Sequence, residues 1–63
     1  MTNNDWEINL QNAADAIAAN HPTGNKVVKH ILGNYKATSI EDLSPACYEE
    51  VFAELDFIAN DLR

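Results

Sequence analysis

Three side chains in the 63-residue chain have the types that bind soft metals or act as nucleophile and base: His21, His30 and Cys47. A zinc site organised by local sequence needs ligands two to five residues apart, and no two of these three are that close. Cys47 opens a helix, a place where a thiol can be activated as a nucleophile, yet no histidine is near it in sequence, and it reads as a small packed thiol. The acids Glu49, Glu50, Glu54, Asp56 and Asp61 supply carboxylates in number. Acid–base work requires such groups in a pocket that tunes them, whereas their spacing puts them on the solvent side of an amphipathic helix. We therefore expect no catalytic residue, no metal ligand and no cofactor site, and a non-enzymatic protein.

Charge leaves two binding chemistries open. The chain carries ten acidic and four basic side chains, a formal charge of −6, which opposes general attraction to nucleic acid or to an anionic membrane. The acids of the last helix could imitate a phosphate backbone and occupy the nucleic-acid site of a host DNA-binding or defence protein. Alternatively, Lys26, Lys29 and Lys36, in a stretch without acids, could contact phosphate from a second helix, although three lysines without an arginine make a weak footprint.

These groups are placed by three predicted helices. Asn4-x-x-Glu7 has the form of a capping box. Trp6, Leu10, Ala13, Ala14, Ile17 and Ala18 then follow at spacings that collect them on one face, until Pro22 stops the helix by about residue 20. Thr23 can cap a second helix with Val27, Val28, Ile31, Leu32 and Tyr35 on one face, and Gly33-Asn34 has the form of a left-handed terminator. Residues 36–40 alternate enough to allow a short strand. Ile40 and Leu43 fit one helical turn facing the core. Ser44 and Pro45 have the types of a cap and first position for the last helix.

In that last helix Tyr48, Val51, Leu55, Ile58 and Leu62 recur at spacings of 3, 4, 3 and 4, the rhythm of packed helices. Phe52 widens the stripe and Phe57 lies off it. A chain this short buries only about 60% of the surface its unfolded form exposes, and a single cysteine excludes an intrachain disulfide, so oligomerisation is the expected source of added stability. The reading is one all-α domain over 1–63, with helices at about 4–20, 24–34 and 45–62, forming an intertwined homodimer. Its dimer or partner interface is expected to use Trp6, Leu10, Tyr48, Val51, Phe52, Leu55, Phe57, Ile58 and Leu62, rimmed by Glu49, Glu50, Glu54 and Asp56. With no basic-then-apolar leader and no run of roughly 20 apolar residues, a cytoplasmic location is expected.

Val27 to Leu43, ending in Thr38-Ser39-Ile40-Glu41-Asp42-Leu43 and followed by Ser44 to Val51, resembles the helical module at the C-termini of some phage antirepressor and recombination proteins. The likeness covers residues 27 to about 55. The module is expected to stand without the N-terminal regulatory or annealing domain of those proteins, and such a nearly free-standing acidic chain looks like the small early proteins of lambdoid phages and prophages. The resemblance implies an accessory factor that favours lytic growth by contacting a host or phage protein.

Overall fold

The computed structural model describes residues 2–61. Helix α1 spans Asn3–Asn20, α2 spans Gly24–Asn34 and α3 spans Tyr48–Asp61, with single 3-10 turns at Ile40–Asp42 and Pro45–Cys47. The chain is all-α, as its periodicity implies. No strand forms among the described residues, so the strand allowed near 36–40 is corrected to a turn. The segment is held there by Asp42, whose carboxylate accepts from the Thr38 amide at 3.1 Å. It has no neighbouring extended chain with which to pair.

The helix ends differ from the sequence reading in instructive ways. The capping box of α1 is Thr2 with Asp5, each side chain accepting from the other's amide, at 3.1 and 3.3 Å. It is not Asn4 with Glu7, because Glu7 is engaged by Tyr48 of α3. Thr23 does sit at the N-cap of α2, where its carbonyl accepts from Lys26 and Val27. Its hydroxyl, however, lies 3.0 Å from His21 Nδ1 and caps nothing. Ser44 likewise precedes Pro45 at the start of the third helical segment without a side-chain cap bond, and the first turn there is 3-10.

The terminator of α2 is Lys36, the one non-glycine residue described with positive φ, at 61°; Gly33 keeps helical geometry. The Ala37 amide donates to Leu32 O and the Lys36 amide to Gly33 O, both at 3.0 Å, the paired bonds of a Schellman ending. Ala37 and Leu32 are both buried, so the hydrophobic contact that accompanies this ending selects its register, and a lysine takes the left-handed position despite its Cβ.

All the helical elements share one core: Leu10, Ala13, Ala14 and Ile17 of α1, Ile31 and Leu32 of α2, Ala37, Ile40 and Leu43 of the connector, and Tyr48, Val51, Leu55 and Ala59 of α3. The fold measures 29 × 22 × 14 Å, so the core is one layer deep, and among the described residues only Leu10, Ile17, Val51 and Leu55 are closed off completely. Burying such a side chain is worth about 1.5–3 kcal/mol. Within the single chain the described stripe residues pack into this core, with Phe52 and Ile58 only partly covered.

Helix α2 approaches α1 through Gly24. A Cβ built there would lie 2.4 Å from Ile17 O and 2.7 Å from the Ala18 Cα, so backbone meets backbone where any side chain would intrude. Gly33, exposed and with nothing within 4 Å of a built Cβ, has no such role. The two glycines should respond oppositely to alanine. Gly24→Ala should destabilise by about 1–3 kcal/mol through overpacking, and Gly33→Ala should stabilise by about 0.5–1 kcal/mol through helix propensity, both read from urea midpoints.

Candidate functional site: a cleft between the second and third helices

Helix α3 packs mainly on α1 and only thinly on α2. The cause is visible in the side chains. On the α1 side, Trp6 and Phe52 meet edge to face with ring centroids 5.8 Å apart, and the Tyr48 hydroxyl donates to Glu7 Oε1 at 3.2 Å. On the α2 side the filling is thinner, and an open cleft of about 470 Å³ remains, lined by Ile31, Ala53, Glu54, Phe57 and Ile58. Phe57 is 76% exposed and Ile58 half-buried. A single hydrogen bond ties α2 to α3 beside the cleft, from Tyr35 Oη to Glu54 Oε2 at 2.9 Å.

The structure divides the expected interface residues. Leu10, Tyr48, Val51 and Leu55 are buried in the core of the single chain. Trp6 and Phe52 are half-buried against each other. Phe57 and Ile58 remain at the surface and form the cleft. Leu62 lies outside the described residues.

The expected acidic rim is also divided. At about 100° per residue, Glu50, Glu54 and Asp61 fall on the flank of α3 toward α2, and Glu49 and Asp56 on the flank toward α1, with Ala53 and Phe57 between them. Asp56 accordingly lines a separate recess with Asn9, Asn12, Ala16 and Phe52 and accepts from Asn60 at 3.3 Å. Of the expected rim, Glu54 lines the cleft, and the helical period places Glu50 on the same flank of α3. Ile31 and Ala53 were not expected as site residues: Ile31 reads from sequence as core, Ala53 as a small surface residue, and only the packing of α2 on α3 joins them.

The remaining candidate chemistry is dispersed. His21 and His30 are exposed and Cys47 is half-buried, and no group of three His, Cys, Asp or Glu side chains among the described residues could hold a metal ion. Lys29 borders a shallow recess with Asp15 and Gln11, while Lys36 terminates α2. No described helix is long and apolar enough to cross a membrane. Comparison with protein-family models, curated proteins and solved structures gives no match.

Two tyrosines carry the polar links between helices. The phenol of Tyr48 is raised above its ordinary pKa of 10.0 by burial and then by its bond to Glu7. That of Tyr35 is raised by its hydrogen bond to Glu54, with burial adding to it. A raised value means the native state holds the phenolic proton more tightly than the unfolded chain does. This contribution is whole below the ordinary tyrosine pKa and is lost as pH rises through the raised, folded-state value. The melting temperature should therefore fall above about pH 10, and the fall should be shallower for Tyr35→Phe/Tyr48→Phe than for the unmodified chain. Separately, Phe57→Ala should change stability by no more than about 0.5 kcal/mol, whereas Leu55→Ala should cost about 2–5 kcal/mol, as measured by chemical denaturation.

Proposed function

We propose that the chain is a non-enzymatic binding module that seats part of another protein in the cleft between α2 and α3. The observation that carries this reading is Phe57: a large aromatic, 76% exposed, standing at the wall of an apolar cleft in a chain that buries its other aromatics wholly or in part. Aromatic side chains of this kind anchor protein interfaces. The cleft sets Ile31, Ala53 and Ile58 beside that ring, so the aromatic and its apolar neighbours can be covered together. Solvent exposure of Phe57 is unfavourable for the isolated chain and becomes favourable once a partner covers it.

The regulatory side of the proposal, an accessory factor contacting a host or phage protein to favour lytic development, is supported by the resemblance over residues 27–55. The mimic reading is supported less well, since Ala53 and Phe57 interrupt the acids of α3 and leave two short rows in place of one dense face.

Site-specific photocrosslinking tests the proposal. With p-benzoylphenylalanine in place of Phe57, a discrete adduct to one protein is expected in producing cells, and the same probe at Glu49, on the other flank of α3, should give much less. An absence of adducts at position 57, or equal yields at both positions, would count against the cleft as the working surface.

A further inference from the structure

We infer that the occupant of the cleft is a cationic amphipathic helix supplied by a different protein, an assignment that rests on the binding-module reading and names the partner's chemistry. The cleft is a wide, open depression lined by Ile31 of α2 and by Ala53, Glu54, Phe57 and Ile58 of α3, a surface on which a third helix can lay its apolar face, with anchors at i, i+3 or i+4, and i+7. Around α3, between Phe57 and Ile58, Glu50, Glu54 and Asp61 recur at spacings of 4 and 7 residues, so carboxylates run along the cleft side of α3 over three turns. The described part of α3 holds no lysine or arginine. A helix lying along this edge meets negative charge throughout its length, and lysines or arginines flanking its apolar anchors match that field.

A second copy of the chain does not have this chemistry. Two identical clefts docked about a two-fold axis put the same surface on both sides, so two rows of Glu50, Glu54 and Asp61 would enter one interface, on chains that each carry −6; like charges gathered there cost affinity. Head-to-tail pairing fares no better. The chain's lysine-bearing helix, α2, already commits Gly24, Ile31 and Leu32 to its own core, and its outward side presents Lys26, Lys29, His30 and Gly33, with no apolar stripe to insert.

The test uses the full chain and defined synthetic peptides, followed by fluorescence anisotropy and by amide chemical shifts. One helical peptide carries leucines at i, i+4 and i+7 flanked by lysines. A second has glutamates for the lysines, and a third scrambles the leucines while keeping the lysines. The lysine-flanked peptide should saturate and shift the amides of Ile31, Ala53, Phe57 and Ile58. The other two should bind at least about tenfold more weakly, since steering by charge and anchoring by apolar contact are both needed. Phe57→Ala should remove most of the affinity. Glu50→Gln/Glu54→Gln should reduce it about three- to tenfold and flatten its salt dependence.

Equal binding of the glutamate-flanked or scrambled peptide overturns the inference, as does binding that Phe57→Ala leaves intact, or a dimer in sedimentation that Phe57→Ala dissociates. If no peptide binds but position 57 still crosslinks to a partner in cells, the charge assignment is wrong and the binding-module reading stands. If neither occurs, both fail.

Discussion

The arrangement of the molecule depends on the contact between the backbone of Gly24 and the carbonyl of Ile17. With no Cβ in the way, the start of α2 lies directly on α1. The other end of α2 is closed by the Schellman bonds and by burial of Leu32 and Ala37. A helix held at both ends against α1 and the connector cannot also slide fully onto α3. The cleft is what remains, and the hydrogen bond from Tyr35 to Glu54 ties the two helices beside it.

Helix α3 thus has two unlike flanks. One is sealed against α1 by the Trp6–Phe52 pair and by Tyr48 reaching Glu7, contacts that join residues far apart in sequence and exclude water from a core only one layer deep. The other is lined with apolar groups and left open.

Much of this was legible in the residues. The 3 and 4 spacings of Tyr48, Val51 and Leu55, and of Leu10, Ala13, Ala14 and Ile17, report burial directly, since a periodic apolar stripe in a helix has one place to go. Pro22 and Pro45 mark helix boundaries for covalent reasons that packing cannot override. The errors fall where a long-range contact decided between two local options. Asn4–Glu7 and Thr2–Asp5 both fit a capping box, and Tyr48, 41 residues away from Glu7, occupies the glutamate. Gly33 and Lys36 could each end a helix in the left-handed region, and burial of Ala37 chose the lysine. The cleft was half legible: Phe57 stands off the stripe in the sequence, but which flank of α3 faces α2, and so which acids accompany it, is set only by the tertiary fold.

The exposure of Phe57 also separates two kinds of selection. Positions 53, 54 and 57 line the cleft and are all exposed, while the side chains that hold the fold together lie on the opposite side of the same helix. Substitutions at 53 and 57 therefore change the chemistry of the cleft without disturbing the packing of Val51 and Leu55, whereas position 54 is tied to α2 through Tyr35. A domain of this size usually has little stability to spare; with cleft and core on opposite sides of one helix, the one can vary without loss in the other.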